Sequence, residues 1–458
     1  MMTLESQRHW LNQHVSSTGD IQQRGLPDWL ERIRENANSQ LDELPLLDRK
    51  QEKWRYTNIE NILQHQFHAI DKPSSNTYPQ LASVLRRKSV TKLDSYQISL
   101  INGRFLPQLS AVDDLPEGVI ISSMREALLG DSEFLSIWFG AAANHHENIF
   151  TALNTALVND GVFVHIAEGV NLERAIEIVY LSTPVSEESD NAMLLQPRNV
   201  FVLGDSARAT IIERFIGDNG DHGNLYFHNQ LNEIMLGKAS RLIHPRIQDE
   251  SRDAYHYSSV FMSQHAESEY YGTYLGVGAA WSRTEYYNVF KQAHARCEIN
   301  GLSVVSDKQL MDVHLQLKHE SGNCVSRERF KTILMGRGRA VFDGHVRVEQ
   351  NAQHSDAQMS SDNLMLSRDA EIDCKPQLEI YADDVKCSHG ASVGELDENQ
   401  VFYLRSRGIE EAKARALLSM GFANEILEQI NNAALRDFCC EIISAILHRH
   451  SISDTSGS

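Results

Sequence analysis

The 458-residue chain has few groups that could tie a fold together covalently and a shortage of the charge that draws proteins to polyanions. Its six cysteines, Cys297, Cys324, Cys374, Cys387, Cys439 and Cys440, are sparse and form no CxxC pair. That excludes a disulfide framework or a self-contained zinc finger and leaves reduced thiols as the default. Basic residues number 43 against 62 acidic ones, and the net charge of −19 argues against nucleic acid or an anionic membrane surface as the main partner. No apolar run approaches the roughly 18 residues of a membrane span. The start, Met1 to His9, has no apolar core of secretory type, so the sequence predicts a cytoplasmic protein with no membrane contact.

Signatures of catalysis are missing as well. The nearest approach to a nucleotide-phosphate cradle, Gly237-Lys238-Ala239-Ser240, lacks the upstream glycine and places its hydroxyl one residue late. Gly336-Arg337-Gly338-Arg339-Ala340-Val341 lacks the last glycine of a dinucleotide fingerprint and leads into an apolar strand, so it reads as a turn. Neither GxSxG nor HExxH occurs. The chain is therefore expected to hold no ATP site and to be no enzyme in itself.

What is present is a pattern. A length of about three typical domains with 41% apolar residues is enough for a sizeable core. Residues 1–144 show helical spacing in places, as at Trp29, Ile33, Ile59, Ile62 and Leu63, and read as a mainly helical N-terminal domain. Residues 145–393 change to short alternating segments, among them Val162–Ile166, Ile176–Tyr180, Val200–Val202, Ala209–Ile212, Tyr226–Met235, Arg241–Ile247, Leu310–Leu317 and Arg339–Val348. An open sheet of so many strands would curl or split, so the pattern predicts a mainly β protein with a parallel β-helix core, a large β-sandwich being the alternative. No strict short repeat period supports the solenoid directly.

Helical periodicity returns over 394–450, a C-terminal helical domain. Acids open one helix at Glu410-Glu411, Gly421 is expected to stop it as a C-cap, and the spacing of Ile426, Leu427, Ile430, Leu435, Phe438, Ile442, Ile443, Ile446 and Leu447 gives a broad apolar stripe. Residues 451–458 read as a disordered tail.

Most candidate ligands have a plain structural reading. In a strand Asp312, His314, Gln316 and Lys318 share one face and Val313, Leu315 and Leu317 the other, which half-burial explains. His145-His146 point apart. Cys439-Cys440 lie in the apolar stripe, Cys297 and Cys324 are isolated, and Cys374 precedes Lys375-Pro376 at a turn or strand edge. Cys387 and His389 stand out. At i and i+2 in a strand they project from one face, so a thiolate and an imidazole would sit side by side and could hold iron, zinc or copper, or accept sulfur. A packed thiol with a satisfied imidazole is the competing reading. Two ligands leave a metal site incomplete, so a functional site would need donors from elsewhere in the fold or from another subunit.

The stretch Asp373 to Gly394, continuing through Phe402-Tyr403-Leu404-Arg405-Ser406-Arg407-Gly408-Ile409, closely resembles the signature of the SufD branch of the SufB/SufD family of SUF iron-sulfur cluster assembly. Trp54-Arg55-Tyr56-Thr57, Ser282-Arg283-Thr284-Glu285, Asp312-Val313-His314 with His319, Ser326-Arg327 and Arg339 to Gly344 extend the likeness over almost the whole chain. Cys374 and Ser392 stand where the family more often has threonine. The resemblance implies a right-handed parallel β-helix between helical ends, paired through that core with SufB and carrying the ATPase SufC on the C-terminal helices. It implies a non-catalytic scaffold, with ATP hydrolysis in SufC and a transient iron-sulfur cluster shared with SufB. Leu404 replaces the cysteine of SufB's corresponding motif, which favours the SufD branch. The family's cluster-building site at the SufB/SufD interface falls on Cys387 and His389 of this chain, with His389 the stronger candidate. A reduced flavin is associated with the family's complex, but no fingerprint here assigns residues to it, and a homodimer of the free chain is left open. A purely structural partner of SufB is the alternative, and a carbohydrate-acting β-helix enzyme a remote one.

Overall fold

The computed structural model describes residues 4–18, 26–70, 72–143, 147–184, 192–218 and 224–456. Before the main stack come α1 (Leu4–Thr18), α2 (Asp28–Glu43), α3 (Glu60–Leu63), β1 (Phe67–Ala69), α4 (Tyr78–Arg87), β2 (Ser95–Ile101), β3 (Arg104–Phe105), β4 (Val119–Ser123), α5 (Met124–Leu129), α6 (Ser132–Ser136) and α7 (Ile149–Ala156). The last starts at Asn148, whose side chain accepts from the backbone of Phe150 and Thr151 while Thr151 caps back. There follow β5 (Val162–Ile166), β6 (Ala175–Ser182), β7 (Ala192–Leu195), β8 (Arg198–Leu203), β9 (Arg208–Gly217), β10 (Tyr226–Leu236), β11 (Arg241–Asp249), β12 (Tyr255–Gln264) and β13 (Glu269–Gly276). The stack ends with β14 (Trp281–Phe290), β15 (Arg296–Val305), β16 (Leu310–His319), β17 (Val325–Leu334), β18 (Arg339–Val348), β19 (Asp356–Met365), β20 (Glu371–Ile380) and β21 (Lys386–Gly394). Helices α8 (Glu398–Ser406), α9 (Glu411–Leu427) and α10 (Ala433–Ser456) close the chain.

Strands alternate between two sheets, so each pair makes one coil of a parallel solenoid. One sheet runs β20-β18-β16-β14-β12-β10-β8-β5-β4, with β7 and β1 at its side; the other runs β21-β19-β17-β15-β13-β11-β9-β6-β2-β3. The expected mainly β architecture with helical ends is what the chain adopts, and the β-sandwich is not. Strands also arise before residue 145: β2 and β4 add to the two sheets because Tyr96, Ile98 and Leu100 alternate inward within a region whose helical spacing was more visible.

The repeat is faint in the sequence because coil length varies. The stacked partners Phe227, Tyr255, Trp281, Leu310, Arg339 and Glu371 lie 28, 26, 29, 29 and 32 residues apart. A backbone repeat persists nonetheless: Ser206, Ala239, Glu267, His294, Asn323 and His354, one at the same corner of each successive coil, all have φ between 55° and 66°.

Both outer walls are covered. Trp10, Trp54 and Phe150 pack with Phe227, Tyr257 and Trp281 on the first sheet. Ala423, Ile426, Leu427, Leu435, Cys439 and Ile443 pack with Ile212, Ile247, Leu275 and Ile333 on the second. With a face turned to the lumen and another to these layers, strands such as β10 are buried at every residue. Lys331 latches α9 to β17, its ammonium 2.6 Å from Glu425 and 4.2 Å from the Phe422 ring centre.

Two expectations need correction or completion. Gly421 does not end a helix: α9 continues to Leu427, because the apolar contacts of Ala423, Ile426 and Leu427 with the sheet outweigh a glycine's cost of about 1 kcal/mol. Asp312 and His314 are buried on their polar face too, since Thr57 donates to Asp312 and Arg283 Nη1 donates to it at 2.7 Å. His145 and His146 lie outside the described residues, as does the end of the expected tail at 457–458.

Candidate functional site

The solenoid ends at β20 and β21, and among the described residues no further strand stacks on them. Register fixes what they present. Cys387 is the stacked partner of Ala357, which continues to Ser326 and Cys297; His389 is the partner of Met359, which continues to Glu328 and Ile299. The inner members of both columns are buried in the lumen, so Cys387 and His389 also point inward, at the one level where no further coil covers them. The i, i+2 spacing thus gives a common face, as the strand geometry predicts.

The two residues differ in environment. Cys387 is half-buried against the lumen core and His389 is exposed. Burial pushes the Cys387 thiol up, opposed by the backbone of Ala357 and reinforced by Asp356. In the free chain it is therefore a protonated thiol, and a metal or a partner's positive charge must supply the deprotonation that ligation needs. Among the described residues His389 has no hydrogen-bond or ion-pair partner, and no third His, Cys or carboxylate ligand closes on the pair.

The floor beneath the pair is built by a close fit. A Cβ on Gly344 would lie 2.1 Å from the sulfur of Met359, the residue that stacks under His389, so a side chain there would displace the methionine end from its present place. Sequence reading missed Cys374 as a neighbour of the site. It is stacked on Phe342, whose ring lies in the lumen core, so its thiol is a third inward group on the terminal coil. Parallel register, which pairs residues about a coil apart, was the missing signal.

The terminal coil is also apolar on its surface. Of the nine large apolar side chains exposed among the described residues, Ile380, Tyr381, Val393, Phe402 and Tyr403 belong to β20, β21 and the segments that follow. This apolar concentration lies around strand edges that no further strand pairs among the described residues. By contrast an open cleft of 810 Å³, lined by Arg252, Asp307, Lys308, Arg337, Arg368 and Asp369 among others, mixes both charges and includes neither Cys387 nor His389.

Other cysteines are accounted for by packing. Cys297, Cys324 and Cys439 are buried, and burial pushes the Cys439 thiol up to about 12. No helix among the described residues is long and apolar enough to cross a membrane.

Comparison with known proteins gives the site a context. Residues 185–422 match the family described as SUF system FeS cluster assembly, SufBD core domain, and residues 5–178 match the SufBD protein N-terminal region. An iron-sulfur cluster assembly SufBD family protein of Synechocystis is 32% identical over 410 residues, covering 88% of each chain. The iron-sulfur cluster assembly protein SufD of Escherichia coli is 30% identical over 388 residues, 85% of this chain and 86% of the relative. SufD of Bacillus subtilis is 24% identical over 413 residues, 88% of this chain and 91% of that one.

Proposed function

The chain belongs to the SufB/SufD family of the SUF iron-sulfur cluster assembly system, and from that membership we propose that it is a scaffold subunit of the SufD type whose terminal coil supplies half of a shared cluster-building site. The observation that carries this reading is the uncapped coil: Cys387 and His389 face inward on an edge strand on which no further strand stacks among the described residues. The partner that caps it is SufB, through strand edges and the apolar rim. SufC docks on the C-terminal helices.

The cluster in this reading is cargo. Sulfur arrives on SufB as persulfide and takes two electrons from a reductant such as the complex's reduced flavin to become sulfide, iron enters at the interface, and His389 donates an imidazole nitrogen to the nascent cluster. Cys387 ligates once a bound metal has displaced its proton. Four donors then come from two chains, which answers the shortage of ligands in this one. ATP turnover in SufC moves α9 and α10, and the Lys331 latch carries that movement to β17, next but one to the edge. The chain itself performs no catalysis.

A second reading keeps this chain as a purely structural partner. The raised Cys387 thiol favours it, since a protonated cysteine is a poor ligand. The test is co-expression of His389→Ala, and separately Cys387→Ser, with SufB and SufC, followed by measurement of complex yield and of iron and sulfide per complex. Intact assembly with reduced loading is expected for His389→Ala. Intact assembly with unchanged loading in both variants would leave only the structural role.

A further inference from the structure

The lumen holds a second constellation, in coils far from the open end and made of residues the proposed function does not use. His228 on β10 and His256 on β12 are direct stacked partners, and their rings meet with centroids 5.3 Å apart. Glu250, one residue past β11, brings its carboxylate to both: Oε1 lies 3.3 Å from His228 Nδ1, and Oε2 lies 2.7 Å from His256 Nδ1. All three residues are buried, and one ligand atom from each lies within 4.8 Å of the other two. No other group of three such ligands occurs among the described residues.

Hydrogen bonding alone does not account for the arrangement. His256 Nδ1 lies close to Glu250 Oε2, and among the described residues His228 Nε2 has no hydrogen-bond partner. Fully buried polar atoms seldom remain so. Charge is unbalanced too. The buried carboxylates of Glu177, Glu213, Glu233 and Glu285 each pair with an arginine: Arg214, Arg246, Arg198 and Arg283. Glu250 instead faces the two imidazoles, the amide of Gln248 at 3.0 Å and the phenol of Tyr226. Among the described residues no arginine or lysine pairs with Glu250.

Two imidazoles and a carboxylate are a donor set for first-row divalent ions. Metal-ligand distances of about 2.0–2.2 Å put tetrahedral donors about 3.3 Å apart, and His228 Nδ1 and Glu250 Oε1 are separated by 3.3 Å. Phe215, whose ring stands edge-on to both histidines, walls the site from solvent, with Tyr180 beside His228. We propose that His228, Glu250 and His256 bind one divalent transition ion, with zinc as the fitting example, enclosed as the coils stack. The ion binds two successive coils together at the middle of the solenoid, and the site is independent of Cys387 and His389.

The test uses the full chain carrying Cys387→Ser and His389→Ala, refolded with Zn²⁺ or with Co²⁺ as a spectroscopic probe and then passed over a mild chelator. About one equivalent of metal should remain. Cobalt should show visible d–d bands without thiolate charge transfer, and metal-loaded protein should melt at a higher temperature. Glu250→Gln and His228→Gln should each lower retention by at least about tenfold. Correctly refolded protein that retains no metal, retention unchanged in both variants, or thiolate bands in the cobalt spectrum would each overturn the assignment. Should a variant fail to refold, the ligand shell of cobalt in the parent chain decides by X-ray absorption: nitrogen and oxygen neighbours support the site, and sulfur refutes it.

Discussion

At the scale of single residues the lumen is where the chain departs most from an apolar core. Glu213 is fully buried and accepts from Tyr180, Gln230, Asn232 and His244, while Arg246 Nε donates to it at 2.8 Å and Arg246 Nη2 reaches Gln230 and Ser258. Burial pushes the Glu213 carboxyl up, but Arg246 together with His244 and Tyr180 outweighs it and holds the carboxyl well below the usual range. Arg246→Met should therefore cost about 3–5 kcal/mol in urea unfolding, because it strands a buried charge, and adding Glu213→Gln should recover much of the loss. Equal, additive losses would show that the pair is not coupled. Glu328 is the opposite case. Burial, opposed by Ser326 and Arg327, pushes its carboxyl from an ordinary 4.5 up to about 8, whereas burial takes His319 from 6.5 down to about 4. Between pH 4.5 and 8 the folded state keeps a proton on Glu328 that the unfolded chain has lost, so stability falls as pH rises, by about 1.4 kcal/mol per pH unit. His319 acts in reverse: the unfolded chain takes its proton first, so stability falls as pH drops from 6.5 toward 4. The slopes oppose each other below 6.5, and above it only that of Glu328 remains. Glu328→Gln should accordingly gain stability relative to the parent between pH 5.5 and 7.5, by about 2–3 kcal/mol. A gain that does not change with pH would contradict the burial of an ionisable carboxyl here.

At the scale of elements, strands such as Arg339–Val348 and Tyr226–Leu236 were legible because alternation and β-branched content mark a strand whatever packs on it. The Cys387 and His389 face was legible for the same reason. Register was not. Which residues stack depends on coil length, which wanders, and on corners whose left-handed residues are Ser206, Ala239, Glu267 and His294 instead of the glycines that would announce them. Without register neither the inward position of Cys374 nor the meeting of His228 with His256 could be foreseen. Register also yields a prediction for the edge. The Lys386 N–H donates to Ser355, so in a parallel ladder the alternate residues 388, 390 and 392 turn toward β19, leaving the N–H groups of 387, 389 and 391 facing outward. Ala391→Pro removes only an outward donor. It should change the stability of the isolated chain by no more than about 1 kcal/mol yet abolish capture of SufB in a pull-down. Undiminished capture would mean that the partner does not pair with this edge.

At the scale of the whole molecule, a stack in which each coil touches only its neighbours gains stability from interfaces, and a terminal coil has one interface instead of two. The consequences are visible in burial: β10 and β8 are buried throughout, whereas no residue of β20 or β21 is. Covering layers sharpen the contrast, since the N-terminal aromatics and the C-terminal helices clad the middle coils. Opening should therefore start at the open end. Amides of β20 and β21 should exchange hydrogen through local openings of a few kcal/mol, while those of β10, β12 and β14 should exchange only with global unfolding. Hydrogen exchange followed by mass spectrometry on the isolated chain, and again with SufB bound, reads both states. Partner binding should raise protection of 386–394 strongly and leave 226–264 unchanged. If β21 in the free chain were already as protected as β12, the terminal coil would be complete without a partner, and the shared site built on it would lose its physical basis.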